Sequence, residues 1–141
     1  MKFFNLNEFS YSEKASINNI DNSIPDEYIN NITELVETLL DPIREIHKQP
    51  IHISSGYRCE ALNTLLKGSK TSAHCFGFAA DIVSSDMKGL QDAVNQFINE
   101  NTDVKFDQII WEKPRCGIPS WIHIGLKNRH GEQRKQIFTL V

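Results

Sequence analysis

The stretch Phe78-Ala79-Ala80-Asp81-Ile82-Val83 constrains this chain more than any other. It is apolar enough for a central strand, and Asp81 is its one charge. A buried carboxylate is costly unless it is paired, hydrogen-bonded or metal-bound, so the fold has to bring something to Asp81. His74 lies seven residues earlier, at the end of the loop Lys70–His74. Gly77 between them gives the chain room to turn back, so both side chains can meet one ion. A third donor, His123, sits in Trp121-Ile122-His123-Ile124-Gly125. Alternation in that strand puts Trp121 and His123 on one face and Ile122 and Ile124 on the other. Zinc at a hydrolytic site takes three nitrogen or oxygen ligands and keeps a position for water, and this set has that composition. Spacing by itself leaves the commoner reading open, in which a strand histidine is a surface or satisfied core residue.

The scaffold around these residues reads as helix, strand, helix, strand, helix and three strands. Residues 1–23 form a polar arm with scattered aromatics, extended apart from one short helical turn. Ser23-Ile24-Pro25-Asp26-Glu27 is a helix start with a capping residue, an early proline and acids in the first turn. Apolar residues then recur at helical spacing at Ile29, Ile32, Leu35, Val36, Leu39 and Leu40. Pro42 ends or kinks this helix, or opens a second turn holding Ile43, Ile46 and His47. Ile51–Ser54 alternates as a short strand, Glu60–Lys67 is a short helix ended by Gly68, and Met87–Asn99 is an amphipathic helix. Phe106–Trp111, Trp121–Leu126 and Gln136–Leu140 are strands, and short connections favour antiparallel pairing among these last three. The fold class expected is α+β: a small mixed, largely antiparallel sheet with helices on one face, residues 1–141 making one domain.

The chain has 141 residues, 40% hydrophobic and 23% charged, with a net charge of −3. The acidic balance gives no electrostatic case for nucleic-acid binding. No run of about 18 apolar residues is present, so no membrane insertion is expected. Cys59, Cys75 and Cys116 are odd in number and lack a CxxC spacing, which argues against a disulfide framework or a zinc knuckle and for small buried thiols. His47, His52 and His130 read as structural or surface residues. A Cys75–histidine protease would leave Asp81 unexplained.

Three blocks carry a resemblance. Ser55–Asn63 (S-G-Y-R-C-E-A-L-N), Gly68–Ile82 (G-S-K-T-S-A-H-C-F-G-F-A-A-D-I) and Trp121–Gly125 (W-I-H-I-G) resemble the zinc D-Ala-D-Ala carboxypeptidases of peptidase family M15, which have the hedgehog/DD-peptidase fold. The pattern S-G-Y-R, then S-x-H-x(6)-D, then a late x-H-x is most like that of M15A-type phage and bacterial domains. The segment Leu39–Glu45 adds to the likeness, which spans residues 1–126. The resemblance implies one zinc per chain held by His74, Asp81 and His123. It also implies that Arg58 faces the active site and binds a substrate carbonyl or carboxylate, for which a guanidinium fork is suited; the plainer role for Arg58 is a structural salt bridge. Ser72 either hydrogen-bonds within the site or caps the loop. Trp121 either lines the substrate groove or packs.

The general base is the block least well kept. In several branches of the superfamily an acid lies three residues before the last histidine, and here that position is Ser120. Residues 118–122 hold no histidine either. Glu112, at the end of the strand beside His123, is the best carboxylate for the role, and Asp107 the second. The function expected is a zinc-dependent peptidase that hydrolyses a peptide bond of the peptidoglycan stem, as a D-Ala-D-Ala carboxypeptidase or an endolysin-type endopeptidase. The competing expectation is a non-catalytic zinc-bearing module that binds peptidoglycan or builds a phage particle. The N-terminus shows no signal peptide, so synthesis in the cytoplasm, action on the cell wall after phage-mediated release or as a virion component, and a monomeric state are expected.

Overall fold

Apolar periodicity and strand alternation meet in one core. The computed structural model describes residues 1–141. Helices α1 (Leu6–Ser10), α2 (Glu13–Ile17), α3 (Asp26–Leu35) and α4 (Asp41–His47) precede strand β1 (His52–Ser55) and helix α5 (Glu60–Leu65). Strand β2 (Ala79–Val83), helix α6 (Met87–Glu100) and strands β3 (Gln108–Glu112), β4 (Trp121–Gly125) and β5 (Gln136–Leu140) follow. The sheet order is β1-β2-β4-β3-β5, antiparallel throughout except for β3 and β5, which run parallel.

The register divides the sheet into two chemically distinct faces. Asp81 stands opposite His123, His123 opposite Ile110, and Trp121 opposite Glu112. Because side chains alternate, Gln108, Ile110, Glu112, Trp121, His123 and Asp81 share one face. The other face carries Ala80, Ile82, Ile109, Ile122 and Ile124, all buried in a cluster with Leu35, Leu39, Ile43, Leu90, Val94 and Phe97 from the helices. The helices cover that face, and the Asp81 face is left for chemistry.

Pro42 stands in the first turn of α4, which holds Ile43, Ile46 and His47, so of the responses expected of it the opening of a further helical segment is the one found. A π-helical turn, Val36–Leu40, joins α3 to α4, with the Asp41 N–H reaching back five residues to the Val36 carbonyl. Widening the turn there accommodates the proline ring and its missing N–H, and Val36, Leu39, Leu40 and Ile43 all stay fully buried. Ser23 does not cap α3; its hydroxyl bonds the Asp21 carboxylate instead, and Pro25 takes the capping position without a side-chain bond.

Three further expectations need correction. The N-terminal arm is not mainly extended: it holds two helices, α1 closed by a reciprocal Asn5/Glu8 capping box and α2 capped by Ser12. These elements are too short for periodicity to reveal. The last strand does not pair antiparallel with β4. The chain leaves β4 at Gly125, opposite Gln108, passes the start of β3 and begins β5 with Gln136 also opposite Gln108, so β5 can only run alongside β3 in the same direction. The cysteines are all free thiols, but they are not all buried: Cys59 and Cys75 are half-buried and Cys116 is exposed.

Candidate metal centre

The positions of the three donors follow from local sequence. Asp81 enters on β2, where Ala79, Ala80 and Ile82 are buried on its own strand and β1 and β4 flank it on either side. His123 is its direct cross-strand partner on β4. His74 comes from a short 3₁₀ turn, Ala73–Phe76, whose first N–H bonds are organised by Ser72: the Ser72 hydroxyl accepts from the His74 N–H at 3.2 Å. Gly77 ends the turn at φ +75°, a left-handed conformation that returns the chain to β2. Ser72 is thus a cap, and it also lines the cleft above the trio.

His74 Nε2 lies 3.3 Å and His123 Nδ1 3.0 Å from the same oxygen, Asp81 Oδ1. One donor atom from each residue falls within 4.8 Å of the others. His74 is 3%, Asp81 8% and His123 9% exposed. The two rings meet edge-on, centroids 5.1 Å apart.

The tautomer of His74 is determined by its surroundings. Its Nδ1 lies 2.8 Å from the Gly56 carbonyl, which can only accept, so Nδ1 carries the proton and Nε2 the lone pair. Burial disfavours the charged imidazolium, lowering the pKa of His74 despite the nearby Asp81. A lone pair on Nε2 therefore faces a carboxylate oxygen. Burial by itself raises the pKa of Asp81; positive charge and N–H donation at the imidazole positions, His74 first, outweigh it and lower the pKa below the usual carboxylate range, and a cation held on the Nε2 lone pair would supply that charge. Two nitrogens and one carboxylate, with a backbone carbonyl orienting one imidazole from behind, form a donor set that fits a zinc ion with an open position.

Arg58 is aimed into this cluster by the Ser55–Asn63 block. Its Nη2 lies 3.5 Å from Asp81 Oδ2, its Nε donates to Ser55 Oγ at 3.0 Å, and its Nη1 to Asn63 Oδ1 at 3.4 Å. Both roles considered for Arg58 are present in the geometry, since it pairs with a site carboxylate and lines the cleft. Gly56 is required by a close approach: a Cβ there would stand 2.6 Å from the Phe9 Cα and 2.7 Å from its carbonyl oxygen.

The cleft over the trio has a volume of about 560 Å³ and includes Arg58, Ser72, Glu112 and Arg134, within the range of a small-ligand site. Glu112 is a diagonal neighbour of His123 on the same face, since Ile110 is the residue directly opposite. Diagonal neighbours lie about 7–8 Å apart, a span a glutamate side chain can largely cover. Burial, then the charge of Asp81, raises the Glu112 pKa, with His123, then Trp121 and Lys113, pulling the other way. Trp121 stands opposite Glu112 with the Lys113 ammonium 5.9 Å from its ring centre, beside the cleft rather than in its lining. The Ser120 hydroxyl bonds the Lys113 carbonyl at 2.6 Å and is occupied in the hairpin. Asp107 is held by Arg134 and is not free to move a proton.

Three residues of the site had no role in the sequence reading. Asn22, 7% exposed, donates to the Tyr57 carbonyl at 2.9 Å and accepts from the Cys59 N–H at 2.8 Å, clamping the turn that carries Arg58. Its partners are 35 and 37 residues away, and no local pattern marks such a bond. Asn63, 5% exposed, accepts from Arg58 and donates to the Ser69 carbonyl; it stands within the S-G-Y-R block and was legible only as part of it. Arg134 comes from the tail, where nothing in the sequence pointed to the cleft.

A His-Asp-His donor set beside a half-buried glutamate, on the open face of a sheet, has the parts of a metallohydrolase site. A family model described as Peptidase M15 matches residues 2–124, and the chain belongs to this family of metallopeptidases. A search of curated proteins found no match.

Proposed function

We propose that this protein is a zinc peptidase that hydrolyses a peptide bond of the peptidoglycan stem peptide, as a D-Ala-D-Ala carboxypeptidase or an endopeptidase of the endolysin type. The observation that carries the reading is the convergence of His74 Nε2 and His123 Nδ1 on Asp81, with Glu112 on the same face, in a peptidase family. Zinc bound by His74, Asp81 and His123 would supply a Lewis acid and lower the pKa of a bound water to about 7.

The remaining chemistry falls to the chain's own side chains. Glu112 takes the proton of the attacking water and delivers it to the leaving amine, a task suited to a carboxyl whose pKa lies above its ordinary value. Arg58 steadies Asp81 and presents positive charge to the oxyanion that develops on the scissile carbonyl. Gly56 holds His74 through its carbonyl, and Ser72 holds the backbone of the same residue. The substrate sets the place of action, the cell wall, in a lysis enzyme or a virion component of a phage.

Digestion of purified peptidoglycan with the zinc-loaded chain tests the proposal, with released peptides identified by mass spectrometry and Glu112→Ala and His123→Ala as controls. New amino or carboxyl termini at one stem bond, absent with both variants, are expected. Zinc bound at one per chain with no released peptide from any wall type would instead favour a non-catalytic peptidoglycan-binding module.

A further inference from the structure

The cleft contains two guanidinium groups, and their surroundings differ. Three of the five N–H donors of Arg58 are engaged with Ser55, Asn63 and Asp81, and its side chain is only 15% exposed. Arg134 is 41% exposed. Its Nε donates to Asp107 Oδ1 at 2.8 Å and its Nη2 to Asp107 Oδ2 at 2.9 Å, a fork-on-fork pair that fixes the plane of the guanidinium. Nη1 has no partner within the protein.

Asp107 is a rigid anchor for that fork. It is 2% exposed, its N–H donates to the Gly125 carbonyl at 2.9 Å, and its carbonyl accepts from the Gln136 N–H at 2.9 Å. Its Oδ1 also accepts from the Arg134 backbone N–H at 3.1 Å. Tethering of the tail to the start of β3 is already supplied by three bonds that involve no guanidinium: the Arg134 N–H to Asp107 Oδ1, the Gln136 N–H to the Asp107 carbonyl, and the Lys135 N–H to the Phe106 carbonyl at 3.0 Å. The guanidinium adds a positive group of fixed orientation and open outer edge to the wall of the cleft that holds His74, Asp81, His123 and Glu112. Arg134 lies beyond residues 2–124, the part matching the family model.

We infer that Arg134, oriented by Asp107, is a specificity residue that receives a carboxylate of the substrate peptide. The inference rests on the peptidase reading above and deepens it. A pre-aligned guanidinium loses little side-chain freedom when it accepts a second planar anion. A stem peptide with lysine at its third position offers carboxylates of two kinds, the C-terminal one and the α-carboxylate of the D-glutamate residue. The chemistry recognised is the same for both. Arg58 and Arg134 then divide the work: the first serves the charge that appears at the scissile carbonyl, the second a charge the substrate already carries.

The test measures binding by calorimetry on the zinc-loaded full chain carrying Glu112→Gln, so that bound peptide is not consumed. Three stem pentapeptides of this lysine type are compared: the free acid, the C-terminal amide, and the form with D-isoglutamine in place of D-glutamate. One of the two amidations is expected to weaken binding about 10-fold or more, as loss of a hydrogen bond to a charged group does, and which one identifies the carboxylate. Adding Arg134→Gln should bring the acid-to-amide ratio close to one, and Arg134→Lys, which keeps the charge and loses the fork, should leave an intermediate ratio. A merely structural role would weaken all three peptides together and leave the ratios as they were. Ratios preserved in both Arg134 variants, no discrimination with Arg134 intact, or no binding of any form would each overturn the inference. Discrimination through Arg134 in a chain that releases nothing from peptidoglycan would sustain the carboxylate site and overturn the substrate class. Wall cleavage without discrimination would do the reverse.

Discussion

Two buried aspartates lie on either side of β4, and they are neutralised in opposite ways. Asp107, where the chain enters β3, has both oxygens bonded to Arg134 and one also to a backbone N–H, at 2.8–3.1 Å. Asp81, on β2, meets its nearest guanidinium nitrogen only at 3.5 Å, and its Oδ1 instead faces two imidazole nitrogens. Burial acts against ionisation at both, and in both the neighbours win, so both titrate below the ordinary carboxylate value. The difference lies in what the partners are. A guanidinium carries its own charge and completes the pair; the neutral His74 imidazole offers Asp81 a lone pair, and a carboxylate that faces a lone pair is completed by a cation. A structural carboxylate and a metal-binding one are thus told apart by their partners rather than by their depth.

Asparagine at each position breaks the comparison most directly. Asp81→Asn, like His123→Ala, should abolish zinc binding and reduce peptidase activity to background, whereas Asp107→Asn should retain zinc at one per chain; metal analysis of the purified variants reads this. The next largest effect is expected at the proton-transfer position. Glu112→Gln should lower kcat by about 10²–10⁴-fold while zinc content stays at one per chain, which separates a base from a ligand in a single preparation.

Smaller effects sharpen the contrast in stability. Gly56→Ala forces a methyl group against the Phe9 backbone, which cannot give way as a side-chain tip could. A cost of about 1–3 kcal/mol is expected, with weaker zinc affinity because the Gly56 carbonyl orients His74; thermal unfolding and a zinc titration check the two parts. The Asp107 pair predicts a pH effect of known sign. Its folded pKa lies below its ordinary value of 3.8, so its stabilisation is fully present above the unfolded pKa and is lost as pH falls through the folded one. Asp107→Asn should cost about 2 kcal/mol at neutral pH and progressively less below about pH 4. A difference in Tm between the two chains that stays constant from pH 6 to pH 2 would show that the pair contributes no charge-dependent stability.

Much of the scaffold was legible because its signals are local. The amphipathic helix over Met87–Glu100 and the strands at Ala79–Val83 and Gln136–Leu140 follow from periodicity and composition. The π-helical turn before Pro42 and the two capped helices of the arm escaped, the first because two responses to a proline look alike in sequence, the second because five-residue helices have no period. The parallel placement of β5 escaped because a ten-residue connection from 126 to 135 permits either direction, and only the path past the start of β3 selects one.

The sequence by itself determined which residues had to be brought together: an aspartate alone in an apolar strand needs partners, and alternation within β4 put His123 on a single face. Tertiary structure decided everything that depends on a meeting of distant segments. It set Asp81 opposite His123, turned the Nε2 lone pair of His74 inward by way of the Gly56 carbonyl, clamped the Arg58 turn with Asn22 and swung Arg134 into the cleft. The physical reason is one of range. Propensity, capping and alternation act over a few residues and leave a mark in the local pattern, whereas a hydrogen bond between residues 35 apart leaves none until the chain has folded.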